Sequence, residues 1–356
     1  MEQHWAEITA NRINTSIIPH FTYNITKQRL VSETLVRKGG ECLVITGASR
    51  IGKTSIAIAL EQLLNPIDSV ELMAKRPVVR FTCRNRADKG QFSTKAFYLD
   101  ALEGIGHPFF TNEGTDLKEN MDAIRRQDRE TNSSLEAILE NILKLLRTKY
   151  LIIDETQHLR YMVGGVQSSL QMLEFFKTLA EKLDIVLIFI GAYPIVNVMQ
   201  LSPHLLGRTY TIEMKRYRAD CEHSSHHFEK LLRWYSEDIQ FEAEADGLCA
   251  WQSELYQGSL GIVGLLSAWI RDAMAEMLAR GDEKLALRHF EATRKPAGDL
   301  EKMLQEIDEG EAHFESADEF ASTRSKSSSR NSKKENNHNS RAFQAKVERR
   351  VEGGRL

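Results

Sequence analysis

Cys42-Leu43-Val44-Ile45-Thr46-Gly47-Ala48-Ser49-Arg50-Ile51-Gly52-Lys53-Thr54 is the stretch on which the reading of this chain turns. Cys42 to Thr46 is a short, largely apolar run, as expected of a strand buried on both faces. The next eight residues fit Gly-x4-Gly-Lys-Thr in full, and a helical segment from Lys53 to about Leu64 follows. Strand, glycine-rich turn and helix in that order are the context in which this pattern cradles phosphate. Glycines let the backbone curl so that successive N–H groups point inward. The helix start adds its positive end. Residues Gly47, Ala48, Ser49, Arg50, Ile51, Gly52, Lys53, Thr54 and Ser55 are thus the candidate binders of a nucleoside triphosphate, ATP. Lys53 would reach the β- and γ-phosphates and Thr54 would offer its hydroxyl to Mg²⁺.

A second half of the same site stands about a hundred residues on. Leu151-Ile152-Ile153-Asp154-Glu155 is an apolar strand ending in two acids. Ligands of open α/β sheets bind at the carboxyl edge of the strands, which brings Asp154 beside the phosphate loop. Asp154 is the candidate Mg²⁺ carboxylate, and Glu155 the candidate general base for the attacking water.

Around these two strands the pattern alternates. Strands are expected at Pro77–Thr82, Tyr150–Asp154, Asp184–Ile190 and Tyr210–Met214, and helices at 93–104, 135–146 and 167–183. In the helix at 135–146, Leu135, Ile138, Leu139, Ile142, Leu143 and Leu146 form one apolar stripe, and Ser133 with Glu136 forms a candidate capping box. Residues 106–130 read as a polar insertion with weak structure. Such alternation predicts a parallel sheet covered by helices. After about Arg218 strands stop, and helices are expected at 228–236, 242–257, 262–280 and 283–293. The expected organisation is an N-terminal extension (1–40), an α/β nucleotide-binding part (41–218), a helical lid (219–300) and a C-terminal helix with a basic disordered tail (301–356).

Composition supports a globular reading and excludes several classes. The chain has 356 residues, 42% of them hydrophobic and 27% charged, enough to build a core without staples. Four cysteines, Cys42, Cys83, Cys221 and Cys249, are scattered with no Cys-x-x-Cys pair. Neither a zinc site nor a disulfide framework is legible, and reduced thiols in a bacterial cytoplasm are the expectation. No apolar run spans a bilayer, so no membrane contact is expected. The net charge of −3 hides an asymmetry: residues 322–356 hold ten Lys/Arg against three Asp/Glu, leaving the body at −10. Nucleic-acid contact must then come from a local patch. Residues 76–95 hold Arg76, Arg80, Arg84, Arg86, Lys89 and Lys95 against one acid, Asp88.

The acidic strand is third in sequence, and a helical unit follows the sheet. In both respects the chain resembles the AAA+ class of P-loop ATPases over roughly residues 20–295. That resemblance implies further parts. A polar sensor of the γ-phosphate usually ends the fourth strand, where this chain has Ala192 followed by Tyr193. An arginine before the fifth strand usually acts on the neighbouring subunit's ATP, and Arg208 stands there. The usual lid arginine is missing at 258–264, and the first basic residue of the lid helix is Arg271.

Within that class, Asp154-Glu155-Thr156-Gln157-His158-Leu159 closely resembles the Asp-Glu-Ala-Gln-His-Leu segment of the TnsC/TniB regulators of transposition. Pro77-Val78-Val79, Gly106-His107-Pro108 and Gly191-Ala192-Tyr193-Pro194 resemble further segments of that family, with Ala192 replacing a threonine. The resemblance implies a homo-oligomer, ring or helical filament, assembled with ATP on double-stranded DNA. Such an assembly links a target-selector protein, in some systems an RNA-guided CRISPR complex, to a transposase, and hydrolysis clears it. Arg84, Arg86 and Lys89 follow the second strand, where loops of AAA+ assemblies face the channel, and are the candidate DNA contacts. A basic loop without a base-reading pattern suits sequence-tolerant binding. Two other readings compete: a nucleotide-switched, STAND-like signalling or scaffold ATPase that never meets DNA, and a helicase-loading or remodelling ATPase. The second of these usually carries an aromatic-glycine pore loop, which is not seen here.

Overall fold

The computed structural model describes residues 5–15, 18–65, 75–84, 93–107, 110, 130–161, 165–237, 239–242 and 246–315. Residues 1–307 form one compact unit and 308–356 a second, of which the described part, 308–315, is helical. The expected insertion at 106–130 and the basic tail at 322–356 lie outside the described residues, apart from 106, 107, 110 and 130.

Five strands form the sheet: β1 (Cys42–Thr46), β2 (Val78–Thr82), β3 (Tyr150–Asp154), β4 (Val186–Gly191) and β5 (Thr209–Glu213). Their order is β2-β3-β4-β1-β5, and every pairing is parallel. All-parallel sheets need cover on both faces, and β1 and β4 are buried along their whole length. The register sets Thr46 opposite Gly191 and Glu213, and Thr82 opposite Asp154. The carboxyl ends of all five strands therefore share one edge, and the acidic strand is separated from β1 only by β4.

Helices Lys53–Leu64, Thr94–Ile105, Asn132–Leu145 and Gly165–Leu183 cover the sheet. Ser93 caps Thr94–Ile105 by accepting from the Ala96 N–H, and Gly106 ends it at φ 76°. The expected Ser133–Glu136 capping box is not formed. The extended residue before the helix is Thr131, whose hydroxyl accepts from the Ser134 N–H, so Ser133 is already inside the first turn. Glu136 accepts instead from the Tyr98 hydroxyl at 3.2 Å. The apolar stripe falls as expected: Leu135, Leu139 and Leu143 are buried against the sheet, with Ile138, Ile142 and Leu146 packed beside them.

A second core lies past β5. Helices Glu222–Ser236, Gln252–Ser259, Val263–Arg280 and Leu287–Thr293 enclose Phe228, Leu232, Tyr235, Leu266, Ile270 and Phe290. Truncating a fully buried leucine here, such as Leu266, costs about 2–5 kcal/mol. Three boundaries differ from expectation. The first helix starts at Glu222, and 242–257 is broken by a 3-10 turn at Gly247–Trp251. The last helix begins only at Leu287, because Leu285 bridges to Phe241 as extended chain.

The N-terminal stretch is two helices, Trp5–Thr15 and Phe21–Val36. Ala6 and Ile13 of the first are buried in the core of the C-terminal helices. Trp5 Nε1 donates to the Glu283 carbonyl at 3.2 Å, and Arg12 Nη2 to the Glu237 carbonyl at 2.7 Å.

Candidate nucleotide-binding site

The turn after β1 is shaped by backbone that ordinary residues avoid. Gly52 sits at φ 109° immediately before the helix, a conformation that side chains rarely adopt. Arg50 takes the left-handed region at φ 63° although it carries a side chain. The result is a loop whose floor is Gly47 and Ala48, both buried, and whose exposed crest is Ser49 and Arg50.

Lys53 is 8% exposed and its ammonium donates to the carbonyls of Gly47 at 2.9 Å and Ala48 at 2.7 Å. Burial lowers its pKa from 10.5 to about 8, opposed by the charges of Glu155 and Asp154. A buried cation held over the loop and facing two acids is equipped to exchange carbonyl partners for phosphate oxygens.

Asp154 is 1% exposed at the end of β3. Its Oδ1 accepts from the Glu155 N–H at 2.9 Å, while Oδ2 is buried with no hydrogen bond of ordinary geometry. Burial raises its pKa, and the Glu155 N–H and the Thr54 hydroxyl pull it back. An exposed alcohol oxygen and a buried carboxylate oxygen with an unused lone pair are hard donors, which fits Mg²⁺. No group of three or more His, Cys, Asp or Glu among the described residues could hold a metal alone. A cation here would therefore complete its shell with phosphate oxygens and water.

Glu155 also lies in the left-handed region, at φ 56°, and its half-exposed carboxylate accepts from Gln157 Nε2, with His158 Nε2 at 3.9 Å. Residues Ser49 to Ser55, Glu155, Gln157 and Ala192 line a cleft of about 490 Å³. That volume falls within the range of small-ligand sites. The same cleft is lined by Ile13, Asn14, Ile18, His20 and Tyr23 of the N-terminal stretch, and by Tyr235, Val263, Gly264 and Ser267. His20 is held neutral at pH 7 by burial, its pKa lowered to about 4, with Nδ1 3.2 Å from the Tyr217 hydroxyl. Sequence reading singled out the 258–264 segment as lid but missed the residues of the N-terminal stretch. Those carry no motif, and Ile13 reaches the second core through the packing of Trp5–Thr15.

Gly264 closes the roof. Its N–H donates to the Arg50 carbonyl at 3.1 Å, and a Cβ there would lie 2.2 Å from that oxygen. Only glycine permits this approach between the helix Val263–Arg280 and the phosphate loop. Arg271 stands behind the wall, with Nη1 donating to Asn14 Oδ1 and Nε to the Ser267 carbonyl.

The remaining candidates lie outside the cleft. Tyr193 is 5% exposed and donates to Glu213 Oε1 at 3.0 Å, so its hydroxyl serves packing against β5. Arg208 pairs with Glu181, and its carbonyl accepts from the Cys42 N–H at the start of β1. That is the far end of β1 from the loop, roughly 16 Å along a five-residue strand. The basic run at residues 76–95, which contains β2, is partly structural. Arg76 donates to the Ile105 carbonyl at 2.6 Å and Arg80 pairs with Glu61 at 2.7 Å. Arg84 is half exposed and pairs with Glu103 at 2.9 Å. Arg86 and Lys89 lie outside the described residues. No described helix is long and apolar enough to cross a membrane.

Residues 36–199 match the AAA domain family. No curated protein sequence matches the chain. Among solved structures it is similar to the Aeropyrum pernix ORC2 protein in its ADP form, at 13% identity and TM-score 0.50, covering 80% of this chain and 71% of that one. Pyrobaculum aerophilum Cdc6p gives 14% identity and TM-score 0.50, covering 76% of this chain and 65% of that one. Drosophila ORC bound to DNA gives 12% identity and TM-score 0.50, covering 82% and 65%. At such identities the likeness speaks for the fold. Residues 36–199 match the AAA domain model, and the strand order, with the phosphate-loop motif and the acidic strand end on one sheet edge, gives a fold of the P-loop AAA+ type.

Proposed function

We propose that this chain is a Mg²⁺-dependent ATPase whose ATP-bound form assembles on duplex DNA as a regulator of transposition. The observation that carries the nucleotide part is the meeting of Lys53, Thr54, Asp154 and Glu155 at one sheet edge, beside a cleft whose volume suits a small ligand. In this reading the loop N–H groups and Lys53 hold the β- and γ-phosphates. Thr54 and Asp154 would hold Mg²⁺, which when bound neutralises phosphate charge. Glu155 accepts the proton of the water that attacks the γ-phosphorus, and the γ-phosphate leaves from the β-phosphate oxygen as ADP is released. The part of the cleft lined by neutral His20 and the ring of Tyr23 receives the nucleoside. Arg208, remote from this chain's own loop, acts on a neighbouring subunit's ATP in the assembled state.

The DNA part rests on the basic residues Arg84, Arg86 and Lys89 and on the segment Asp154 to Leu159 with its transposition-regulator likeness. One protein of the same fold is the Drosophila ORC bound to DNA. A target selector and a transposase are the partners this reading requires. The test is binding to duplex DNA of unrelated sequences, with and without ATP. Tight binding only with ATP, lost in Lys53→Ala and weakened alike for all sequences in the Arg84/Arg86/Lys89→Ala variant, with a flatter salt dependence, is expected. ATP turnover without any DNA binding would assign the chain to nucleotide-switched signalling instead.

A further inference from the structure

Ala192 directly follows the fourth strand with a side chain that cannot bond to anything polar, yet the edge of the sheet is not left without a polar link. Gln157 Oε1 accepts from the Ala192 N–H at 3.1 Å, and Gln157 Nε2 donates to Glu155 Oε2. The orientation of the amide is fixed by its partners: an N–H must meet the oxygen, so the NH₂ group faces the carboxylate. The fit is tight as well as polar. A Cβ on Gly191 would lie 2.7 Å from Gln157 Oε1 and 3.2 Å from its backbone nitrogen.

Thr156, fully buried, anchors the same segment from the other side. Its hydroxyl lies 2.7 Å from the Ile153 carbonyl and 3.0 Å from the Ile190 carbonyl, and accepts from the Ile190 N–H at 3.2 Å. An alanine at 156, as in the segment that this stretch resembles, could make none of these bonds. The ends of β3 and β4 are thus joined twice, through Thr156 and through Gln157. Glu155 immediately precedes the two joints, in a left-handed backbone conformation that a free chain would leave.

We propose that Gln157 is the positioning residue of the catalytic carboxylate: it ties Glu155 to the end of β4 and supplies there the polar link to the attacking water's site that the side chain of Ala192 lacks. Gln157 lines the cleft beside Glu155 and Ala192, so its amide stands where the terminal phosphate and the water would meet the sheet edge. The other charged groups facing Glu155 are Lys53 and Asp154 beneath it and His158 at 3.9 Å. None of these reaches across to β4.

This inference rests on the ATPase reading, and the experiment separates the two. Wild type, Gln157→Ala and the near-isosteric Gln157→Glu are compared for affinity toward a fluorescent ATP analogue, for kcat and KM, and for kcat against pH. Gln157→Ala should bind the analogue as wild type does and lose on the order of 10²-fold in kcat, the usual cost of a misplaced reacting group. Gln157→Glu still accepts from the Ala192 N–H but sets a second carboxyl against Glu155. The two then share a proton over part of the range, and the acid limb of the kcat profile should move to higher pH by about one unit or more. A purely structural glutamine would lower stability and affinity together and leave that limb where it was. Equal losses in affinity and kcat, or an unmoved acid limb in Gln157→Glu, overturn the proposal. A wild-type protein that binds the analogue and hydrolyses nothing overturns the ATPase reading itself, and this inference with it.

Discussion

Replacing Gly264 by alanine tests how the C-terminal helices are coupled to the phosphate loop. The added Cβ would stand 2.2 Å from the Arg50 carbonyl oxygen and 3.0 Å from Arg50 Cβ, whereas real Cβ atoms essentially never come within 3.0 Å. Loop and helix must part by about 0.8 Å, taking the 2.2 Å approach to that 3.0 Å floor. The atom met is backbone, already strained at φ 63°, so no flexible side chain can absorb the shift. Along the same line the Gly264 N–H to Arg50 carbonyl bond, now 3.1 Å, stretches beyond hydrogen-bonding range. A lost backbone bond is worth about 1 kcal/mol and the overlap about 1–3 kcal/mol. Alanine's better helix propensity returns up to about 1 kcal/mol, leaving a net cost of roughly 1–3 kcal/mol. Thermal unfolding and nucleotide affinity together read this cost. If the helix stays docked, the protein loses several degrees in Tm. If it lifts instead, Tm holds and nucleotide affinity falls by about 5- to 100-fold, since 1.4 kcal/mol is tenfold. Gly298→Ala is the control: nothing lies within 4 Å of its added Cβ. A Gly264→Ala protein with unchanged Tm and unchanged affinity refutes the roof contact.

Three further outcomes are expected. Glu155→Gln should bind ATP normally and lose about 10²- to 10⁴-fold in turnover, with longer-lived DNA complexes; normal hydrolysis in that variant removes Glu155 as the base. Phosphate favours the Lys53 ammonium, whose pKa without nucleotide is about 8. Below pH 8 binding needs no added proton, while above it each binding event must take one up. Nucleotide affinity should thus be level below pH 8 and fall by up to tenfold per unit above it, and a flat profile from pH 7 to 9.5 contradicts the buried-lysine argument. Arg208→Ala should slow turnover only in the assembled state, and an equal defect in dilute protein without DNA removes its role toward a neighbour.

The phosphate-loop half of the site was legible because its parts are local. The Gly47–Thr54 turn lies between a strand and a helix within a dozen residues, and the acids sit at the end of an apolar run. All five strands fall within two residues of expectation; β1 and β4, buried along their whole length, advertise themselves as apolar runs. Helix Asn132–Leu145 was readable from its stripe, but its cap was not. Thr131, Ser133 and Ser134 are all competent caps, and where the chain turns from extended to helical selects among them.

What the sequence determined by itself is the set of candidates: which residues are proposed to hold phosphate, which acid a cation, and which to take a proton. Each of those roles depends on side-chain type within a short, recognisable frame. What the tertiary structure decided is who stands beside them. Part of the cleft lining comes from residues 13–23, about thirty positions before the loop, where Trp5–Thr15 packs into the C-terminal core. The link from Gln157 to Ala192 joins residues 35 apart through the pairing of β3 with β4. Arg76 and Arg80, indistinguishable in composition from surface cations, are bound to the Ile105 carbonyl and Glu61. Such contacts arise from burial and register, which act between segments distant in the chain, so no local pattern of residues announces them.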